Sequence, residues 1–89
     1  MARYRLVFTP SAERAFLALP AHIRTRLDAR LLALQEQPRP AGVKLLAGVK
    51  GVYRLRVGDY RVLYEVRDAE LLVLVLAVGH RREVYRRRR

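Results

Sequence analysis

Two hydrophobic periods divide the chain. Between residues 21 and 37, Ile23, Leu27, Leu31 and Leu34 recur at steps of four, four and three, which forms one apolar stripe of an α-helix. Arg24, Arg26, Asp28, Arg30 and Glu36 fall mostly off that stripe. From Val52 the period becomes two, as expected of half-buried strands. Val52–Val57 and Tyr60–Arg67 alternate in this way, and the Gly58-Asp59 pair between them is a two-residue hairpin turn. Asp68-Ala69 reads as a second tight turn, Glu70–Val78 as a third strand, and Gly79 as its end.

The remaining segments complete the order. Residues 3–8 (Arg-Tyr-Arg-Leu-Val-Phe) predict a short strand whose outer arginines suit a sheet edge. Thr9-Pro10 is a helix start, with a hydroxyl at the cap and proline in the first turn. Ala12, Phe16 and Leu19 share a face of the helix after it, and Pro20 ends that helix. The two helices are joined almost directly and predict an αα-hairpin. Residues 38–51 carry Pro38, Pro40, Gly42, Gly48 and Gly51 and read as one irregular connection, long for so small a domain. The predicted order is βααβββ. The fold class is α+β: a mostly antiparallel four-stranded sheet with a helical hairpin packed on one face. Residues 1–89 form one domain, with a basic tail at about 80–89.

The Gly58-Asp59 turn sets which residues oppose one another. Val57 faces Tyr60, Arg56 faces Arg61, Leu55 faces Val62, Arg54 faces Leu63 and Tyr53 faces Tyr64. One side then carries Tyr53, Leu55, Val57, Tyr60, Val62 and Tyr64 and belongs against the helices. The other carries Arg54, Arg56, Arg61 and Glu65. Two arginines directly across a strand pair repel. Such a cluster is either a solvated basic face, with Glu65 offsetting part of the charge, or a site that awaits an anion. On the third strand, Val73, Val75 and Ala77 are expected to join the core. Leu72, Leu74 and Leu76 then form a stripe beside the arginines, for the basic tail or a partner helix to cover.

Charge sharpens the second possibility. The 89 residues hold 19 Lys and Arg against 8 Asp and Glu, a formal net charge of +11. Only Lys44 and Lys50 are lysine, and the guanidinium fork of the rest grips phosphate or carboxylate bidentately. A polyanion or an acidic protein is the expected partner. With no cysteine, thiolate chemistry, disulfides and zinc fingers are excluded. The longest apolar run, Leu71–Val78, is far too short to cross a membrane as a helix. No secretory signal is legible, so a cytoplasmic protein with no membrane partner is expected. The acidic residues show no metal-ligand clustering, and no phosphate-binding loop occurs; neither metal nor cofactor is expected. His80 and Tyr85 are the remaining groups able to move a proton.

Three stretches carry a resemblance. They are Lys44-Leu45-Leu46-Ala47-Gly48, Val52-Tyr53-Arg54-Leu55-Arg56-Val57-Gly58-Asp59-Tyr60-Arg61-Val62-Leu63-Tyr64-Glu65-Val66, and Val78-Gly79-His80-Arg81-Arg82-Glu83-Val84-Tyr85. Together with the element order, they resemble the RelE branch of the RelE/ParE toxin superfamily. The resemblance implies a toxin of a type II toxin–antitoxin pair that enters the ribosomal A site and cuts mRNA there. In that reaction the ribose 2′-hydroxyl attacks the adjacent phosphate without a metal. It also implies an acidic antitoxin as partner, with the toxin a monomer when free and part of a hetero-oligomer when bound.

Position by position, the resemblance assigns catalytic roles to Arg54, Arg56, Arg61, Arg81 and Tyr85, with Arg61 as the phosphate clamp. Some ribonucleolytic relatives have lysine where this chain has Arg54 and Arg56. An arginine does not give up its proton, so Arg56 is then electrostatic, and the base is Tyr85, His80 or a ribosomal group. Lys44, Lys50, Arg82 and Arg86 are expected to contact RNA or the ribosome. Two alternatives share the same surface: a ParE-like poison of DNA gyrase that cuts no RNA, and a plain basic RNA-binding module.

Overall fold

The computed structural model describes residues 3–80. The chain forms β1 (Arg5–Phe8), α1 (Pro10–Leu17), α2 (Ala21–Ala33), β2 (Lys44–Leu45), β3 (Val52–Val57), β4 (Tyr60–Arg67) and β5 (Leu72–His80). The α+β class and the helical hairpin are as expected. The sheet, however, has five strands in the order β1-β5-β4-β3-β2. The added strand is β2, two residues inside the supposed irregular connection, which pairs antiparallel with β3. β1 lies at the other edge, parallel to β5, and every other pairing is antiparallel.

Local chemistry sets the helices. The Thr9 hydroxyl accepts from the Ala12 amide at 3.2 Å, satisfying a donor the helix itself leaves orphaned. The first helix ends at Leu17 with Ala18 as its C-cap, ahead of Pro20, which opens the second helix with no side-chain cap. In place of a cap, one nitrogen of Arg24 donates back to the carbonyls of Leu19 (2.9 Å) and Leu17 (3.2 Å). That cation closes the open end of α1 and ties the two helices together.

Leu27, Leu31 and Leu34 from the α2 stripe are fully covered, and with Ala12 they meet Leu55, Val57, Val62, Tyr64, Val66, Val73, Val75 and Val78 from the sheet. Each buried aliphatic side chain contributes about 1.5–3 kcal/mol. That stabilisation holds the hairpin register, because a slip by one residue would turn all of these strand residues outward.

β5 departs from the expected alternation in three ways. It starts at Leu72, because the preceding turn is a 3₁₀ turn at Asp68–Glu70 with Leu71 after it in the left-handed region at φ 51°. It continues through Gly79 to His80, so the glycine does not end the strand. Between these points Leu63 pairs with Ala77 while Tyr64 pairs with Val75, which leaves Leu76 as the extra residue of a bulge. The bulge reverses the parity of the rest of the strand. Val78, not Ala77, therefore joins the helix-side core. Ala77 packs on the opposite face with Val52 and Leu63, flanked by Leu46 and Leu76. The Leu76 carbonyl accepts the Thr9 hydroxyl at 3.3 Å, so the bulge is bound to the cap of α1.

A polar network closes the other end of the molecule. Arg39 grips Asp68 with two nitrogens (3.1 and 2.7 Å) and donates its Nε to the Tyr53 hydroxyl at 2.9 Å. Tyr4 donates to Asp68 at 2.6 Å. Arg39, then Tyr4, hold the Asp68 carboxyl below its ordinary range, and the hydrogen bond to Asp68 raises the Tyr4 hydroxyl. Beside them Tyr64 stacks on Tyr53, with ring centroids 5.8 Å apart, and donates its hydroxyl to the Pro38 carbonyl at 2.7 Å. Tyr64 is the largest of the fully buried side chains.

Burial pushes the Tyr64 hydroxyl up to about 12, with Tyr53 adding to the rise and Arg39 opposing it. A phenol raised in the folded state stabilises the fold fully below its unfolded value of about 10, and that contribution is lost as pH rises through the folded value. Alkaline unfolding, followed by circular dichroism, is therefore expected to steepen above about pH 10 in the wild type. Tyr64→Phe is expected to cost about 1–3 kcal/mol at neutral pH by orphaning the Pro38 carbonyl. The variant should lose stability less steeply in the alkaline window; an equal slope would refute the assignment.

Candidate functional site

The cations stand on the sheet face away from the helices, and cross-strand pairing arranges them in two rows. The row nearest the hairpin turn is Arg56, Arg61 and Gly79. The next is Lys44, Arg54, Leu63 and Ala77. Each expected pairing of the β3–β4 hairpin is present, including Arg56 opposite Arg61. Directly opposed residues have Cβ atoms about 4.5–5.5 Å apart, so two positive side chains leave the backbone side by side.

Glu65 does not relieve this cluster. Its carboxylate pairs with Arg67, two residues along the same strand, at 3.2 Å. Arg39, bonded to Asp68 and Tyr53, serves the network at the far end.

Arg61 is the exceptional member. Its Nε and Nη1 atoms are buried and have no hydrogen-bond partner among the described residues. Buried polar groups are almost always paired, and an orphaned donor costs about 1–3 kcal/mol, more when it carries charge. Gly79, across from Arg61 on β5, adds no side chain beside it. Leu63, Ala77 and Val52 make the neighbouring surface apolar. Low polarity strengthens any charge–charge contact formed there. The arrangement suits one anionic group held by Arg61 with Arg56 alongside.

The other expected residues divide into three groups. Lys44 is brought to the cluster by β2, which sets it opposite Arg54. Lys50 is not: it lies in the turn before β3, at the opposite end of that strand from Arg56. His80 pairs with Tyr60, with ring centroids 5.8 Å apart, edge to face, and so lies on the helix side of the sheet and not on the arginine face. Arg81, Arg82, Tyr85 and Arg86 lie outside the described residues, as does the tail expected to cover the leucine stripe. That stripe itself is largely filled in: Leu72 is buried, and Leu74 and Leu76 are half-buried.

Comparison with known proteins decides the family. The sequence model for the ParE toxin of type II toxin–antitoxin systems matches residues 6–85. The chain belongs to this family. The toxin is 33% identical over 85 residues to toxin RelG of Mycobacterium tuberculosis, covering 94% of this chain and 98% of the relative. It is 35% identical over 86 residues to the mRNA interferase toxin RelE of Escherichia coli, covering 92% and 90% of the two chains. The crystal structure of isolated E. coli RelE superposes with a TM-score of 0.79 at 31% identity, covering 96% of this chain and 94% of that one. This is a RelE-like toxin of the type II toxin–antitoxin class.

The orphaned guanidinium leads to a stability prediction. Replacing Arg61 by methionine removes two buried, unpaired nitrogens and the repulsion from Arg56 while keeping an unbranched stem. Arg61→Met is expected to be more stable than the wild type by about 1–2 kcal/mol in urea unfolding. Phosphate ions should raise the Tm of the wild type more than that of the variant. A destabilised variant would mean that Arg61 has partners within the folded chain.

Proposed function

We propose that this toxin is a ribosome-dependent endoribonuclease that cuts mRNA in the A site. The observation that carries the reading is the Arg61 guanidinium, with two buried nitrogens left without partners among the described residues, in the middle of a cationic face. Likeness over nearly the whole chain to a toxin named as an mRNA interferase supports it.

In the proposed reaction the 2′-oxygen of the ribose attacks the adjacent phosphorus and the bond from phosphorus to the 5′-oxygen breaks. The products are a 2′,3′-cyclic phosphate and a 5′-hydroxyl. Negative charge grows on the non-bridging oxygens, and fixed cations in a poorly hydrated site stabilise it without reorganising. Arg61 holds the phosphate, Arg56 and Arg54 add positive field, and Arg81 closes the clamp. Nothing in this chemistry requires the protein to supply a metal or cofactor.

Two protons must move, one off the 2′-hydroxyl and one onto the 5′-oxygen. Arginine serves for neither. Tyr85 is the proposed transfer group of the chain; His80, on the far face, is placed less well for it. Lys44, Arg82 and Arg86 are the proposed contacts to RNA or ribosome.

Relatives of similar fold have been crystallised as complexes with antitoxins, RelBE of E. coli among them. By likeness, an acidic antitoxin is the proposed partner, neutralising the arginine face, and the ribosomal target sets the protein in the cytoplasm. Among the described residues, no helix is long and apolar enough to cross a membrane. Because the matching family model is that of ParE, a toxin that cuts no RNA and acts on DNA gyrase is the competing reading.

Purified protein is expected to cut a defined mRNA only when ribosomes with an empty A site are present, leaving a cyclic phosphate at the mapped end. Arg61→Ala, whose side chain lies off the helix-side core, should fold normally and lose at least about 100-fold in rate, the scale of one transition-state donor. Intact mRNA with folded wild-type protein and programmed ribosomes would move the assignment to gyrase.

A further inference from the structure

A second cation reaches the hairpin turn from the other layer of the molecule. Arg26 lies off the apolar stripe of α2 and is exposed. Its guanidinium rests against Gly58, with one terminal nitrogen 3.3 Å from where a Cβ would stand on that glycine and the other 3.8 Å away. Gly58 has φ +59° and opens the turn that joins Arg56 to Arg61. The bare backbone at this turn therefore lets a helix-borne cation lie within a few residues of the arginine row.

Nothing in the described protein neutralises Arg26. It makes no hydrogen bond or ion pair among the described residues, and Asp59, next to Gly58, does not pair with it. The other groups around it are Ile23, Leu27, Val57 and Tyr60, which line a shallow cleft with Arg26 as its polar wall. Tyr60 in turn carries the His80 ring against its edge. Arg56 and Arg61 are on one side of the sheet, and Arg26 with Tyr60 is on the other. Only the two-residue turn lies between them.

We propose that Arg26 is a further RNA-contacting residue, which holds a phosphate neighbouring the one at Arg61 as the strand passes around the hairpin end of the sheet. The inference rests on the endoribonuclease reading and extends its binding surface to α2. Arg26 touches no reacting atom in this scheme and acts by positioning the strand.

The test measures binding to mRNA-programmed 70S ribosomes with an empty A site, across a salt series, for wild type, Arg26→Ala and Arg26→Lys. All three are first checked for equal thermal unfolding. Losing one phosphate contact should weaken Arg26→Ala about 5- to 10-fold and lower the steepness of the salt dependence by about 0.7–0.9, the share of one released counterion. Arg26→Lys should recover most of both. In cleavage, the loss should fall on KM more than on kcat. Equal affinity and salt slope in Arg26→Ala would overturn the proposal, and so would equal losses in the alanine and lysine variants, which would mark a packing role. A wild type that binds without cutting overturns the nuclease reading alone, while the salt series still judges Arg26. A wild type that neither binds nor cuts overturns both.

Discussion

The position of Arg54, Arg56 and Arg61 is dictated by the burial of their neighbours. Tyr53, Leu55, Val57, Tyr60, Val62 and Tyr64 must meet the helices, and a strand has only two faces. The tight turn at Gly58-Asp59 leaves one register, and that register sets Arg56 opposite Arg61. Repulsion between the two is a modest cost beside the burial of Leu55, Val57, Val62 and Tyr64, each contributing about 1.5–3 kcal/mol, with Tyr53 and Tyr60 half-buried beside them. The fold therefore holds Arg56 beside Arg61 with no acidic residue among those described to relieve the pair, Glu65 being engaged by Arg67. The candidate site is pre-formed: the core fixes Arg56 and Arg61 side by side, with the Arg61 Nε and Nη1 atoms already withdrawn from water.

The same constraint explains which parts of the structure were legible in the sequence. A dipeptide turn between two cleanly alternating segments leaves no freedom, and the β3–β4 register could be read pair by pair. Ile23, Leu27, Leu31 and Leu34 were equally plain, because they recur at helical steps and charged residues stand between the first three. β5 was harder. Its sequence from Leu72 to Val78 is apolar at every position, so both parities look like a core face and a bulge at Leu76 leaves no trace in the pattern. β2 was invisible for another reason: two residues carry no period, and their strand character comes from pairing with β3.

The candidate site divides in a similar way. Arg54, Arg56 and Arg61 share a face because their parity is local information. Lys44 reaches that face only through β2, and Arg26 approaches the turn only through the packing of α2 on the sheet. Neither relation has a local signature. Arg39 reaches Asp68 across 29 positions of chain, and Tyr4 reaches it across 64. Gly58 could be read as a turn former from the sequence; that its missing side chain also admits a guanidinium depends on the tertiary structure.

The parallel pairing of β1 with β5 has a consequence for synthesis. Arg5 lies beside Leu72, and Thr9, which caps α1, is bonded to the carbonyls of Val75 and Leu76. Closing so long a loop is entropically unfavourable and comes late. While the chain emerges N-terminus first, the partner of β4 and β1 does not yet exist, and Arg61 has no Gly79 beside it. An unfinished copy without β5 therefore leaves one edge of β4 open and β1 with no strand to pair with. A product truncated before Leu72 would lack the one strand that joins β1 to the rest of the sheet.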